Sequence, residues 1–170
     1  MPAPDYATLY NVEDAIEEAC RAIIVANGFP HCYIQRDLRD VFDTRVEIQL
    51  QISGAQGDRD DAWTGQLIFD IFSDRSADAP RRNGLMRGMI RGLFSRFHPG
   101  KPHPVFTADV LPYHVVNRLV LSNTDPQASF PGDCDNSALY YEAVISVRPG
   151  QHPVEDKNLS DANAALLAGH

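Results

Sequence analysis

The sequence lacks any apolar run that approaches the roughly 20 residues needed for a membrane-spanning helix. It does not begin with a basic stretch followed by an apolar run, so no signal peptide is expected. Cysteine is scarce: Cys20, Cys32 and Cys134 are an odd number without CxxC spacing, which indicates a reduced setting rather than a disulfide framework. These absences favour a soluble intracellular protein.

The signatures of the commonest catalytic sites are missing as well. No GxxxxGKS/T, GxGxxG or GxSxG pattern occurs, so the usual signals for phosphate binding and acyl transfer are absent. His98, His103, Asp109 and His114 fall within seventeen residues, but neither an HExxH pattern nor a helical pair of histidines accompanies them. The sequence therefore predicts solvent-facing loop histidines, and neither a metal ion nor another cofactor is expected.

Cysteine chemistry is not indicated either. Cys20 lies within the predicted first helix and is expected to be a small core residue. Cys134 lies between Asp133 and Asp135, and two neighbouring carboxylates raise the pKa of a thiol, which disfavours the nucleophilic thiolate. We therefore expect a protein that is not an enzyme.

Length and charge narrow the possibilities further. The 170 residues suit one domain, expected at residues 1–150, followed by a polar tail at 151–170 that is flexible or orders only on a partner. The net charge of −8 argues against a general nucleic-acid binder. Residues 81–118 are the exception, because they carry seven basic residues and one acidic residue. This segment predicts contact with phosphate or with an acidic patch on a neighbouring copy.

The first part of the chain has clear helix signals. Asn11 is a good N-cap, acidic residues follow it, and Gly28 is placed to end the helix. The first helix is therefore predicted at about 11–27. A short strand is expected next, at 31–35.

Alternation of apolar and polar residues predicts the strands. Two antiparallel strands are expected at 44–53 and 62–73, joined by the polar, acidic loop 54–61. Two later strands are expected at about 113–123 and 137–148. In the first of these, one face is predicted to hold Val115, Leu119 and Leu121, and the other face Val116 and Val120.

A second helix is predicted at about 82–97, after a loop at 74–81. Its broad apolar face is expected to contain Leu85, Met86, Met89, Ile90, Leu93, Phe94 and Phe97. Gly84, Gly88 and Gly92 recur every four residues and form a ridge without side chains, beside Arg87 and Arg91. Each glycine costs roughly 1 kcal/mol relative to alanine in a helix interior. Chance, crowded packing within one chain, or the close approach of a neighbouring subunit would each account for the ridge.

Together these elements predict an α+β fold, with a mixed or mainly antiparallel sheet of four to five strands and two main helices packed on it. Both faces of the late strands carry apolar residues, and two helices are too few to cover both faces. Uncovered apolar sheet surface of this kind predicts self-association.

The order of these elements resembles that of the small tail-terminator and tail-completion proteins of long-tailed bacteriophages. The resemblance covers about residues 8–150. It is carried by the helix EDAIEEACRAII, the hairpin RVEIQLQISGAQGDRDDAWTGQLIFDIFS, the helix NGLMRGMIRGLFSRF, and the strands around VVNRLVLSN and ALYYEAVISVR.

The resemblance implies a structural virion protein, assembled in the host cytoplasm, with an α/β sandwich fold. Members of this family form hexameric rings that end tail-tube growth, contact the tube protein and the head connector, and let DNA pass without specific binding. The acidic loop residues Asp58, Asp60 and Asp61 become candidates for the channel lining or a contact between rings. The candidates for the interface between subunits are Gly84, Arg87, Gly88, Arg91 and Gly92.

Other functions remain open at this point. The chain is alternatively another phage neck, head-completion or tail-tube protein. A small intracellular enzyme would use the region His98 to His114, with Asp109 or Cys134. A monomeric adaptor would use the basic side of the second helix as a docking surface.

Overall fold

The computed structural model describes residues 11–37, 44–55, 62–73, 79–95, 101–124 and 136–148. These residues contain two α-helices, α1 (Val12–Ala26) and α2 (Ala79–Phe94). They also contain five strands: β1 (Cys32–Ile34), β2 (Arg45–Ala55), β3 (Ala62–Phe72), β4 (His114–Thr124) and β5 (Asn136–Val147). A 3₁₀ turn, Gln35–Asp37, follows β1. The tail predicted at 151–170 lies outside the described residues.

The five strands form one mixed sheet in the order β1-β2-β3-β5-β4. The short β1 runs parallel to β2, and the three other neighbouring pairs are antiparallel. The predicted α+β class, with a mixed sheet and two main helices, is therefore confirmed. The strands predicted in the hairpin are also confirmed, to within two residues at each end.

Both helices pack on the same face of the sheet. That face carries the alternating apolar residues of β2, β3 and β5, and most of them are fully buried: Val46, Ile48, Leu50, Leu67, Phe69, Ile71, Leu139, Tyr141, Ala143 and Ile145. The opposite face holds a second set of apolar side chains. Ala62, Ile68, Val115 and Ala138 are buried there, and Phe72, Val120, Tyr140 and Val144 are partly buried. Neither α1 nor α2 lies against this second face.

Local signals explain both ends of α1 and one position in the hairpin. The Asn11 side chain accepts a hydrogen bond from the backbone N–H of Asp14 at 3.2 Å, and Gly28 follows the helix with φ of 97°. Asn11 and Gly28 therefore have the capping roles that the sequence predicts.

In β3, a Cβ at Gly65 would lie 2.7 Å from the carbonyl oxygen of Gln51, so only glycine allows this close strand pairing.

The second helix is displaced from its predicted position. It begins at Ala79 rather than near 82, because a proline such as Pro80 is tolerated in a first turn, where the backbone N–H needs no acceptor. It ends at Phe94 rather than 97. Leu85 was predicted to face the core, but it is 65% exposed. The reason is the period of 3.6 residues, which places Leu85 well away from the line of Met86, Ile90 and Phe94.

The side chains of β4 also lie on different faces of the sheet from those predicted. Its pairing with β5 is irregular between Val116 and Arg118, so an extra residue interrupts the alternation there. Val116 therefore shares the helix-covered face with Leu119, whereas Val115 lies on the opposite face with Val120. A second irregularity lies between Leu121 and Asn123. Such bulges disfavour pairing of an edge strand with another strand.

A buried carboxylate completes the sheet where β1 ends. The chain leaves β1 for the 3₁₀ turn after Ile34, which leaves the N–H of Leu50 in β2 facing α1. Glu17, 1% exposed, accepts a hydrogen bond from that N–H at 3.3 Å. Its other oxygen accepts a hydrogen bond of 2.6 Å from Arg36, which also pairs with Asp14. Glu17 thus fastens α1, β2 and the 3₁₀ turn together.

Candidate assembly interface

The side of α2 that faces the sheet is fixed by aromatic and polar contacts. The ring of Phe94 stacks on that of Phe69, with 4.8 Å between centroids. The buried Asn83 donates a hydrogen bond to the carbonyl oxygen of Ile71 at 3.2 Å and accepts one from the Ser137 hydroxyl at 2.7 Å. A rotation of the helix would leave these buried polar groups without partners, which costs about 1–3 kcal/mol for each group. The orientation of α2 is therefore well determined.

The opposite side of α2, which we call the basic face, is open. It consists of six exposed residues: Arg81, Gly84, Leu85, Gly88, Arg91 and Gly92. Leaving aside the adjoining helix backbone, a Cβ added at any of the three glycines would have no described atom within 4 Å. Crowding within one chain therefore does not account for the glycine ridge. Arg87 is partly buried and lies on the flank of the basic face rather than at its centre.

A second surface feature lies beside α1, and we call it the acidic groove. It has a volume of about 350 Å³ and is lined by Asp14, Ala15, Glu18, Ala19 and Ala22 of α1 and by residues 109–114. Three of the described lining side chains are carboxylic acids, Asp14, Glu18 and Asp109, and none of the described ones is lysine or arginine. Arg36 pairs with Asp14, and Arg21 pairs with Glu18 at 3.7 Å, so these two acids already have a basic neighbour. The groove is thus acidic at its rim and lined with small apolar side chains between.

The wall of the groove that lies opposite α1 is held in place by the end of β5. Arg148 donates hydrogen bonds to the carbonyl oxygens of Leu111 and His114, at 3.0 and 3.1 Å, and its backbone N–H donates to Tyr113 at 2.8 Å. The Leu111 side chain is 1% exposed and belongs to the main core. The groove is therefore preformed, which lowers the entropy lost when something binds there.

The prediction of solvent-facing histidines is wrong for the two that the structure describes. His103 is 5% exposed and His114 is fully buried. The Nδ1 of His103 accepts a hydrogen bond from the N–H of Val105, so its Nε2 carries the proton and donates to the carbonyl oxygen of Phe94 at 3.0 Å. This ring satisfies the Phe94 carbonyl at the end of α2 and so holds His103 against that helix end. His98 lies outside the described residues.

The two described cysteines are core residues, as predicted for Cys20. Cys20 and Cys32 are both buried and reduced. Burial raises the pKa of the Cys20 thiol well above its ordinary value, and burial raises that of Cys32 to about 12. Neither thiol forms a thiolate readily near neutral pH. Cys134 and the loop candidates Asp58, Asp60 and Asp61 lie outside the described residues.

Sequence reasoning found the glycine ridge and its arginines but missed the acidic groove and the exposure of Leu85. The groove joins α1 to a segment ninety residues later in the chain, so no local pattern reveals it. One signal was available: α1 carries four acidic residues and one arginine, whereas α2 carries four arginines and no acidic residue. The two helices of one sheet face therefore present exposed surfaces of opposite charge.

No metal-binding group of three or more histidine, cysteine or acidic side chains is found in the described part of the chain. In the same residues, neither helix is sufficiently long and apolar to cross a membrane. The chain matches no protein-family model, and no curated protein is significantly similar to it.

Proposed function

We propose that this chain is a structural subunit that forms a ring of about six copies at the head-proximal end of a phage tail. There the ring ends the growth of the tail tube and joins the tube to the head connector. The observation that carries the proposal is the basic face of α2, which combines an exposed Leu85 with three glycines over which the described residues leave open space. The resemblance in element order supports the place in the tail.

Glycine at three exposed helix positions lowers the stability of the isolated chain, and the close approach of another backbone would explain its presence there. In an exposed helix interior, alanine would be more stable than glycine by about 0.5–1 kcal/mol at each position. Three such positions in one helix are therefore unfavourable for the isolated chain. A neighbouring subunit that approaches the helix closely would account for this, and Gly84, Gly88 and Gly92 together with Arg87 and Arg91 are then interface residues.

The charge of the chain agrees with a channel for DNA. A net charge of −8 disfavours binding of the phosphate backbone, so DNA would slide through without adhering. In this proposal Asp58, Asp60 and Asp61 line the channel or contact the adjacent ring, while the arginines of α2 are covered between subunits.

A small enzyme is the second candidate, because Asp109 and His114 line the same groove. The full burial of His114 argues against it, since a general acid or base must reach the substrate. A monomeric adaptor that docks through α2 is favoured by the basic face itself, and it differs from the ring in leaving the purified protein monomeric.

Electron microscopy of the purified protein tests the proposed function. We expect ring-shaped particles with a central opening, and we expect the same rings at one end of tail tubes when tube protein is present. The rings should not retain linear double-stranded DNA in a gel-shift measurement at physiological salt. Particles of a single chain that never associate with tube ends, or tight DNA binding, would contradict the proposal.

A further inference from the structure

The basic face and the acidic groove are complementary in charge and in shape. The basic face carries Arg81 and Arg91 on either side of Gly88, with Leu85 protruding beside them. The acidic groove carries three carboxylates and the small side chains of α1 between them. Arg36 pairs with Asp14 and Arg21 with Glu18, whereas Asp109 lies on the wall opposite α1. One surface protrudes and is basic, and the other is concave and acidic.

Apolar exposure accompanies both surfaces. Val25 and Leu85 are the large hydrophobic side chains with high exposure in the described residues, at 39% and 65%. Leu85 belongs to the basic face, and Val25 lies one helical turn beyond Ala22 on α1. Each surface thus offers apolar area next to its charges, which is the combination that protein interfaces use.

The two surfaces cannot meet within one chain. Both helices lie on the same face of the sheet, α1 over β1 and β2 and α2 over β3 and β5. The basic face points away from the sheet, because it lies opposite the buried line of Met86, Ile90 and Phe94. Contact between the two surfaces therefore requires a second molecule.

We propose that the basic face of one copy binds in the acidic groove of the next copy. This deepens the proposed function and rests on it, since it names the surfaces through which the ring closes. The contact is heterologous, because each copy uses a different surface toward each neighbour, and contacts of this kind generate rings or open filaments. The open space over the three glycines lets the α2 backbone approach α1 of the neighbour closely.

Charge reversal on each surface tests the pairing. One variant carries Arg81→Glu and Arg91→Glu, and the other carries Glu18→Arg and Asp109→Arg. Each variant alone should associate at least about a hundredfold more weakly than the wild type, because like charges then face each other. A chain with all four substitutions should assemble again. Circular dichroism and thermal unfolding confirm that each variant is folded.

Mixing the two double variants gives the most specific result. In each variant one surface is unaltered and the other is reversed in charge. The two reversed surfaces are complementary to each other, and so are the two unaltered surfaces. The groove of the Arg81→Glu, Arg91→Glu variant still accepts the unaltered basic face of the other variant. We therefore expect rings in which the two variants alternate, with equal numbers of each, in sedimentation velocity. Assembly of either variant alone, or a mixture that does not assemble, would overturn the pairing.

A matched control uses exposed charges on the opposite face of the sheet, Arg118→Glu with Glu142→Arg. This control should assemble as the wild type does. If it loses assembly while the other variants retain it, the contact lies on the sheet face and the pairing is wrong. If the reversed basic face instead abolishes binding of DNA or another partner and leaves assembly intact, the surface serves that partner and the pairing is again wrong.

The outcomes separate the pairing from the proposed function. If every charge-reversed variant forms the same rings as the wild type, the pairing is refuted, but the proposal that the chain forms a ring is not. Rings that obey the reversals but never bind tail tubes would support the pairing and refute the role in the tail. A wild-type chain that stays monomeric would refute both.

Discussion

Gly88→Leu is expected to abolish assembly while leaving the chain folded and no less stable than the wild type. Gly88 lies at the middle of the basic face, and in the described part of the chain nothing outside the adjoining helix backbone lies within 4 Å of the position that its Cβ would take. A Cβ is therefore accommodated in the monomer, and a leucine at this exposed position removes the helix penalty of glycine, about 0.5–1 kcal/mol. In an assembly that covers this face, the same side chain would hold the two backbones apart.

Two control variants make this result interpretable. Gly88→Ala adds one carbon and should raise the free energy of unfolding by about 0.5–1 kcal/mol, with a smaller loss of association than leucine causes. Glu142→Leu adds an apolar side chain at an exposed site on the other face of the sheet and should leave association unchanged. Sedimentation velocity and urea unfolding measure the two quantities. A Gly88→Leu protein that still assembles would show that the basic face is not covered.

The folded chain is expected to lose stability as the pH rises from about 5 to about 8, because of Glu17. Burial raises the pKa of this carboxyl from its ordinary 4.5 to about 7, the Leu50 N–H opposes the shift, and the nearby acids Glu13, Asp37 and Glu18 add to it. The folded state therefore retains the proton to a higher pH than the unfolded chain does, although Arg36, 2.6 Å from one carboxyl oxygen, favours the ionised form. Stability is highest below the unfolded pKa and falls until the pH exceeds the folded value, by up to about 3 kcal/mol.

Glu17→Gln isolates this contribution. The amide oxygen still accepts the hydrogen bond from the Leu50 N–H, but the side chain no longer ionises. Between pH 5 and 8 the free energy of unfolding of the wild type should therefore fall relative to that of Glu17→Gln, by about the same amount. Measuring both in a Gly88→Leu background keeps dissociation of subunits out of the unfolding signal.

The exposed Glu142, on the opposite face of the sheet, supplies the matched control, because it takes no part in the contacts of Glu17. Glu142→Gln also removes one carboxyl, and it should leave the pH dependence that arises from Glu17 unchanged. If the wild type instead gains stability relative to Glu17→Gln as the pH rises, the ion pair with Arg36 outweighs burial. That result would show that Glu17 is bound in the ionised form.

The parts of the fold that were predictable depend on neighbours in the sequence. The N-cap Asn11, the terminating Gly28 and the alternation in β2 and β3 each act within a few residues of the chain. Such patterns specify an element almost regardless of what packs on it. The α+β class followed from the number and order of these elements, whereas the sequence left open whether the sheet is mixed or mainly antiparallel.

The parts that failed depend on contacts that no local pattern signals. His103 is buried because its ring bonds to the carbonyl oxygen of Phe94, and this requires the chain to turn back toward the end of α2. The bulge between Val116 and Arg118 exchanges the faces of two valines without a proline or glycine to signal it. The acidic groove combines α1 with a segment that precedes β4, and only the sheet order brings them together.

Light scattering on the purified wild-type chain, coupled to size exclusion and repeated over a range of concentrations, tests the central claim most directly. The account predicts a particle of about six chains of 18.9 kDa each, and a single chain for Gly88→Leu under the same conditions. A wild-type protein with the mass of one chain at every concentration would contradict the claim that this chain is a ring subunit.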